Sequence, residues 1–390
     1  MNRLRLYTVA PSIPNELRFL EKLANNMWWC WNIEAIELFR RIDPELWKDC
    51  GRNPLIFLRQ VDTAALAQQT EDRGFQAHMK RVQEKFEAEV EAPVEPSVRS
   101  EEGCIAYFSL EYGLHESFRL YSGGLGVLAG DHLKAAADFA TPLVAVGLMY
   151  RLGFFRQYLS DDGWQQEAYP ENHFPHLPLT PIMDENGERV FVTIPLPEGP
   201  LHAMLWQLNV GRVPLILLDA NTQRNPDHLR EITDQLYGGD SKMRIRQELL
   251  LGVGGYRALQ ATGYHPHCCH INEGHAAFLS VARIEHLMKT RGLDLDTALE
   301  VVPRTNVFTT HTPVAAGNET FPLDLAKPHL EALAAETGLS ADQMIRWGQG
   351  GEGHGSHEIS MTVLGLRMSE FCNGVSELHG KVARGMWAHL

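Results

Sequence analysis

The chain has few of the features that mark secreted, membrane-spanning or nucleic-acid-binding proteins. It contains only six cysteines in 390 residues and no CxxC pair, so we expect reduced thiols rather than a disulfide scaffold. No apolar run is long enough to cross a bilayer, and the first residues lack the apolar core of a secretory signal. Basic residues (35) are outnumbered by acidic residues (49), and a net charge of −14 disfavours broad nucleic-acid or anionic-membrane binding. These absences predict a cytoplasmic protein that binds neither nucleic acid nor membrane.

What is present indicates two domains. Hydrophobic residues make up 44% of the chain, enough for large cores. Helical periodicity predicts a helix over residues 16–31 and a second, long helix over 63–90. The acidic, proline-containing segment 87–103 then resembles a linker. We therefore predict a small helical domain over residues 1–95 and a second domain over 104–390.

The second domain has the rhythm of an α/β fold. Several of its short apolar runs are separated by stretches with helical periodicity, so that predicted strands and helices alternate along the chain. This alternation predicts a Rossmann-like parallel sheet with helices on both faces, in which ligands bind beyond the carboxyl ends of the strands. The final stretch, 361–390, is predicted to be helical with one apolar face. The predicted strands cover residues 104–113, 142–150, 213–220, 267–272 and 305–311.

A glycine-rich turn is the first candidate site. Ser122-Gly123-Gly124-Leu125-Gly126 follows a predicted strand and opens a helix, whose first amides and dipole favour an anion such as phosphate. Its spacing fits neither GxGxxG nor a Walker loop. The alternative is a tight strand-to-helix turn without a ligand, and the motif alone leaves both open.

Polar residues at two further strand ends are the second candidate. Asn272, Glu273 and His275 end one predicted strand and begin a helix, and His311 ends another. Such positions suit a ligand cleft, and His311 could hydrogen-bond a hydroxylated ligand. The alternative is helix capping by Asn272 and structural histidines. The loop that ends at Asp240 is a further candidate, and its alternative is a turn in which Asp240 caps the following helix.

A cluster of histidines and cysteines over residues 265–270 has the residue types of a metal site but not the spacing. Adjacent strand residues point to opposite faces, so we predict no metal site and a buried strand that carries two thiols. The tryptophans at 28, 29 and 31 are predicted to be core aromatics.

Taken together, the motifs resemble the α-1,4-glucan (glycogen, starch and maltodextrin) phosphorylases, in particular their shorter bacterial and archaeal type. The similarity runs in the family's order from about residue 104 to the last residue, and the leading helical segment LRFLEKLANNMWWCWN is similar to the extra N-terminal domain of that type. The matching segments are AYFSLEYGLHESFRLYSGGLGVLAGDHLKAA, GLMYRLGFFRQYLSDDGWQQEAYP, LYGGDSKMRIRQELLLGVGGYRALQ, HINEGHAAFLSVARIEHL, VFTTHTPVAAGNETFP and NGVSELHGKVARGMW.

The resemblance implies a two-domain GT-B glycosyltransferase that uses inorganic phosphate to release α-glucose 1-phosphate from the non-reducing end of an α-1,4-glucan or maltooligosaccharide. It also implies pyridoxal phosphate as cofactor, bound to a lysine of the family's second domain, and a possible homodimer. No GTGNMK-like motif is present in this sequence. We therefore expect the chain to represent the N-terminal half, without the C-terminal pyridoxal-phosphate domain and catalytically incomplete alone.

Residue by residue, the resemblance implies two catalytic positions: His311 contacts the glucosyl unit and Asp240 begins the loop that guards the cleft. It places the substrate- or phosphate-facing positions at Gly123, Gly124, Leu125, Glu273, His275 and Glu111, the last of them beneath the cofactor pocket.

Two other functions remain open at this point. A non-catalytic glucan-binding or regulatory module would keep the sugar-facing half-site without chemistry, and retained maltooligosaccharide binding without a complementing partner would favour it. A sugar-nucleotide glucan synthase shares the two-domain architecture, and turnover of ADP-glucose or UDP-glucose without phosphate would favour it.

Overall fold

The computed structural model describes residues 11–93, 103–314, 318–350 and 357–390. The boundary predicted between residues 95 and 104 lies almost wholly outside these ranges, and the domain division stays a prediction. The described N-terminal part is helical, with short 3-10 turns at Asn15–Leu17 and Met27–Trp31 and a π turn at Glu87–Glu91. Its α-helices are α1 Phe19–Ala24, α2 Ile33–Ile42, α3 Pro44–Asp49, α4 Pro54–Gln60, α5 Thr63–Glu71 and α6 Arg73–Phe86.

Each of the two long helices predicted in this part is divided into shorter helices by a capping residue. The prediction that each is continuous was therefore wrong. Asp72 ends α5 and accepts hydrogen bonds from the first-turn amides of α6. Asn26 breaks the earlier segment in the same way, because its side chain accepts the amide of Trp28. Short polar side chains compete with the helix for backbone amides, which favours a new helix start at these positions.

Aromatic side chains fill the core of the helical part, as predicted. Trp28 and Trp29 are each 1% exposed, and Trp31 is partly buried against the same cluster. The part is not isolated from the rest of the chain, because Trp29 packs edge-on against His115 at 4.6 Å between ring centroids. The Asn26 side chain also exchanges two hydrogen bonds with the backbone of Gly211.

A mixed sheet forms the centre of the second part and confirms the predicted α/β fold. Within the described residues its nine strands are β1 Cys104–Phe108, β2 Leu143–Leu148, β5 Leu179–Pro181, β6 Phe191–Leu196, β7 Gly199–Val210, β8 Val213–Asp219, β9 Pro266–Asn272, β10 Asn306–Thr310 and β13 Phe371–Gly374. They lie in the order β13-β10-β9-β1-β2-β8-β7-β5, with β6 beside β7. Two small sheets pair β3 Arg156–Leu159 with β4 Gln165–Ala168 and β11 Thr320–Pro322 with β12 Glu358–Ser360.

Strands β13 through β8 are parallel, whereas β5, β6 and β7 extend the sheet with antiparallel pairing. The antiparallel extension was not predicted, because the sequence analysis treated β8 as one more strand of an all-parallel sheet.

Helices cover both faces of the sheet. Neighbouring strand residues point to opposite faces, and this is visible on β1, where Tyr107 packs against His132 and Phe108 lies beneath Gly255. The helices of this part are α7 Gly124–Asp138, α8 Asp227–Arg230, α9 Ser241–Leu249, α10 Gly255–Ala261, α11 Leu279–Arg291, α12 Leu295–Arg304, α13 Leu323–Thr337, α14 Ala341–Trp347, α15 Met361–Arg367 and α16 Glu377–Met386. None of the helices in the described ranges combines the length and apolar composition that a membrane-spanning helix needs.

The prediction of one helix over 361–390 was also wrong. The segment consists of α15, strand β13 and α16, because Ser360 and Ser376 each cap a new helix start. The four residues of β13 pair in parallel with β10, with Phe371 opposite Val307. So short a strand depends on its neighbour in the sheet, and helical periodicity on either side conceals it.

The order of the strands places a switch point beside β1. The chain runs from β1 outward to β2 and then β8, and it returns to the other side of β1 through β9 and β10. In an open α/β sheet the connections diverge at such a point and leave a crevice outside the carboxyl ends of the strands. The segments that follow β1, β9 and β10 therefore meet at one edge.

Candidate active site

A buried carboxylate organises the glycine turn that follows β1. Glu111 is 2% exposed and its Oε2 accepts hydrogen bonds from the amides of Ser122 and Gly123, at 2.6 and 3.2 Å. Its Oε1 accepts the phenol of Tyr237 at 2.7 Å. Two amides of the turn are therefore occupied by the protein's own carboxylate, and Glu111 acts as a support beneath the turn.

The next amides of the turn have no acceptor among the described residues and are available to a ligand. Gly124 and Leu125 open α7, where helical geometry provides no intrahelical acceptor for their N–H groups. A Cβ added at Gly123 or Gly124 would meet no atom within 4 Å, so the space in front of the turn is open. Free amides at the start of a 15-residue helix form a suitable anion-binding surface.

Glu273 follows β9, contacts the segment that follows β10, and has a strained backbone. It is 6% exposed, and its Oε2 accepts the amides of His311 and Thr312 at 2.8 and 3.1 Å. Its φ of 67° and ψ of 172° lie in a region that is favourable only for glycine. Such strain persists where the surroundings enforce it, and it concentrates at functional sites.

His311 is held by a polar chain that runs back to β1. Its Nε2 donates to Asn272 Oδ1 at 2.6 Å, and Asn272 donates in turn to Ser109 Oγ at 3.1 Å. Burial, with a smaller contribution from His379, lowers the pKa of His311 to about 4, so the ring is neutral near pH 7. With Nε2 protonated, Nδ1 is left as an acceptor. Asn272 therefore orients His311 and does not cap the following helix.

A buried ion-pair network lies behind these residues. Arg244 pairs with Glu248 at 3.4 Å and with Glu319 at 3.0 Å, and its guanidinium stacks on the ring of Tyr237 at 4.8 Å. Burial raises the pKa of Glu248 to about 8 although Arg244 opposes this shift. Glu248, Glu319 and His275 could bring ligand atoms within 4.8 Å of one another. Because the raised pKa keeps Glu248 protonated near pH 7, the charge of Arg244 balances that of Glu319, and we assign the group to an ion-pair network.

His275 is buried beside this network. Its ring packs against Tyr237 at 5.7 Å between centroids, and its buried Nδ1 has no hydrogen-bond partner in the described part of the chain. Burial, with smaller contributions from Arg244 and His311, lowers the pKa of His275 to about 3.

The buried His275 predicts a pH dependence of stability. The unfolded chain takes up this proton near pH 6.5 and the folded chain only near pH 3, so stability is lost as the pH falls through this window. One such group contributes a slope of up to about 1.4 kcal/mol per pH unit. We expect His275→Gln to reduce the slope of unfolding free energy between pH 7 and 5, measured by urea titration, while His228→Gln at an exposed position leaves it unchanged. Equal slopes in both variants would contradict the burial argument.

Asp240 stands apart from these contacts. Its side chain is exposed and caps α9 by accepting the amide of Met243 at 2.9 Å. The capping interpretation is therefore correct, and a role at a cleft entrance stays a prediction. Of the residues singled out in the sequence, the structure connects Glu111 with the glycine turn and Glu273 with His311.

The sequence analysis missed four residues that support the site. Ser109 continues the polar chain from Asn272, and Arg244, Glu248 and Glu319 form the network behind His275. Only the spacing of Arg244 and Glu248, four residues apart on one helix, is a signal in the sequence. Glu319 comes from a distant segment, which only the fold brings near.

The sequence is similar to a family of unknown function in its N-terminal part and to phosphorylases over nearly its whole length. Residues 13–118 match a family described as "Protein of unknown function (DUF3417)". A glycogen phosphorylase of Mycobacterium tuberculosis is 42% identical over 410 aligned residues, which cover 100% of this chain and 47% of that protein. A maltodextrin phosphorylase of Thermococcus litoralis is 37% identical over 98% of this chain and 45% of its own length. A glycogen phosphorylase of Aquifex aeolicus is 34% identical, over 95% of this chain and 53% of its own.

The chain thus spans about half the length of the curated relatives it matches. The matched half and the α/β fold agree with the resemblance found in the motifs. The chain belongs to the glycogen and maltodextrin phosphorylase family and corresponds to the N-terminal half of its members.

Proposed function

We propose that the chain forms one wall of the active site of an α-1,4-glucan phosphorylase, a glycosyltransferase that transfers a terminal glucosyl unit to inorganic phosphate. The observation that carries the proposal is the convergence of an open helix N-terminus, a strained buried glutamate and a neutral histidine at one edge of the sheet. The relatives' names supply the reaction class. The comparisons do not favour a non-catalytic module or a sugar-nucleotide synthase.

Each residue has a definite task in this proposal. The amides of Gly124 and Leu125 stabilise negative charge on a phosphate group, as free helix-terminal amides do. The Nδ1 atom of His311 accepts a hydrogen bond from a sugar hydroxyl, and the His311 carbonyl is a second acceptor. Glu273 positions this segment through the amides of His311 and Thr312, and Glu111 positions the glycine turn. Asp240 at the start of α9 would border the cleft.

Pyridoxal phosphate is proposed as the cofactor of the complete enzyme, where its phosphate group would supply acid–base chemistry beside the substrate phosphate. The open space before Gly123 and Gly124 fits a phosphate-bearing group on this side of the cleft. The lysine that binds the cofactor is expected in the other half of the protein. The chain alone would then be inactive, and dimerisation and a cytoplasmic location stay predictions.

The proposal is tested by phosphorolysis. This chain, combined with the C-terminal half of the same protein or of a close relative, should release glucose 1-phosphate from maltoheptaose only when phosphate and pyridoxal phosphate are present. We expect His311→Ala to lower kcat/KM by about 10- to 100-fold, because it removes a hydrogen bond to the reacting sugar. The matched control, His228→Ala, changes an exposed histidine and should have no effect. Turnover of ADP-glucose without phosphate would overturn the proposal in favour of a synthase.

A further inference from the structure

A second cavity lies at the opposite edge of the sheet, where β1 and β9 begin. It encloses about 480 Å³ and is bordered by Gly103, just before β1, and by Pro266, the first residue of β9. The candidate active site lies at the carboxyl ends of the same strands, so the strands separate the two. The volume is in the range of small-molecule sites, roughly 300–1,000 Å³. Nothing in the proposed function uses this cavity.

The lining of the cavity is basic in an acidic protein. It includes Arg283, Arg291 and three histidines, and no lining residue in the described part of the chain is acidic. The histidines are His265, His267 and His286. Because the whole chain carries a net charge of −14, anions are repelled from most of its surface. This cavity is therefore a local exception that attracts them.

Arg283 is a buried cation without a counter-charge. It is 6% exposed, and its guanidinium donates to the carbonyl and hydroxyl of Thr305 and to the side chain of Asn306. No carboxylate within the described ranges forms an ion pair with it. Buried charges in proteins are generally paired, because an isolated one is costly to remove from water. An anion in the adjoining cavity would complete the charge balance.

Histidines and tyrosines complete the lining. His267 is one of the lining residues, and its buried Nδ1 atom has no hydrogen-bond partner in the part of the chain that the structure describes. Burial lowers the pKa of His286, with Arg291, His265 and Arg283 acting in the same direction and Glu285 in the opposite one. Tyr256 and Tyr264 also line the cavity and provide apolar faces with hydroxyl groups. A sugar ring is well matched to such a wall.

We propose that this cavity binds a small sugar phosphate, with the phosphate held by Arg283 and Arg291 and the sugar against the tyrosines. The ligand would balance the Arg283 charge and contact both β9 and α11. Because this site is formed by other residues than the candidate active site, it does not depend on the proposed function. It would give the protein a second place at which to bind a phosphorylated metabolite.

The test is calorimetric titration of the full chain with ribose 5-phosphate, inorganic phosphate and ribose. Arg283 is left intact, because its N–H groups also hold Thr305. The double variant Arg291→Gln/His265→Gln changes two exposed residues of the lining, and Arg81→Gln is a matched change at an exposed position on α6. Circular dichroism and thermal unfolding confirm that each variant is folded.

We expect ribose 5-phosphate to bind more tightly than phosphate, and ribose not to bind. The double variant should weaken binding of ribose 5-phosphate at least 10-fold, whereas Arg81→Gln should not change it. Unchanged affinity in the folded double variant would overturn the proposal, and so would the absence of binding. Equal affinity for phosphate and ribose 5-phosphate would overturn the assignment of the sugar.

Discussion

Replacing Gly130 by alanine should destabilise the chain by about 3 kcal/mol or more. Gly130 lies inside α7, where an added Cβ would overlap the carbonyl oxygen of Gly113 and lie 2.6 Å from its carbonyl carbon. Gly113 is also fixed to α7 by a hydrogen bond from its amide to the carbonyl of Gly126, at 2.7 Å. The backbone of one segment cannot move aside as a flexible side chain could. Urea-induced unfolding of the purified variant measures the loss.

The matched control is Gly385→Ala in α16. This glycine is also inside a helix, but an added Cβ would meet nothing within 4 Å. Alanine is favoured over glycine in a helix by about 0.5–1 kcal/mol, so the control should be slightly more stable than the parent chain. The same substitution is thus expected to act with opposite sign at the two sites. A loss below about 1 kcal/mol for Gly130→Ala would show that the segment after β1 does not cross α7 this closely.

Removing the Glu273 side chain should have the second large effect. Glu273→Ala leaves the amides of Gly274, His311 and Thr312 without their acceptor in a buried place, and we expect a loss of about 3 kcal/mol. In the assembled enzyme it should also lower kcat/KM, since the His311 segment loses its anchor. Chemical denaturation gives the first quantity and the phosphorolysis assay the second.

Glycine at the same position separates the two contributions of Glu273. Glu273→Gly also removes the carboxylate, but it relieves the backbone strain at φ 67° and ψ 172° that alanine retains. The glycine variant should therefore be more stable than the alanine variant by about 1–3 kcal/mol. Glu300→Ala changes an exposed glutamate and serves as the control, with an expected change within about 0.5 kcal/mol. Equal stability of the alanine and glycine variants would mean that the position is not strained.

The predicted elements that survived are those with strong local signals. Alternating apolar runs and helical stretches indicated a parallel α/β sheet. Strands β2, β8, β9 and β10 lie within two residues of their predicted bounds, whereas β1 ends five residues before its predicted end at 113. Capping residues were harder to weigh, because Asp72 and Asn26 can be accommodated on a helix surface or can end it. Strand β13 gave no signal of its own, since its four residues depend on β10 for hydrogen bonds.

In the candidate site, too, residues with a local sequence signal could be predicted, whereas their distant partners could not. Glycines, Glu273 and His311 could be singled out from their places after predicted strands. Their partners could not, because hydrogen bonds such as that from His311 to Asn272 and ion pairs such as that from Arg244 to Glu319 join segments 39 and 75 residues apart. The strain at Glu273 was equally invisible, since no residue type announces an unfavourable backbone conformation.

By itself, the sequence determined the class of fold, the family and the edge of the sheet at which the polar motifs gather, because periodicity and strand-end motifs are local properties of the chain. Only the tertiary structure decided that Glu111 and not a ligand occupies two amides of the glycine turn, that Asn272 orients His311, and that the buried Arg283 has no carboxylate partner among the described residues. These three facts concern which groups are satisfied and which are left free. That balance depends on contacts between distant segments and on burial, both of which arise only when the chain is folded.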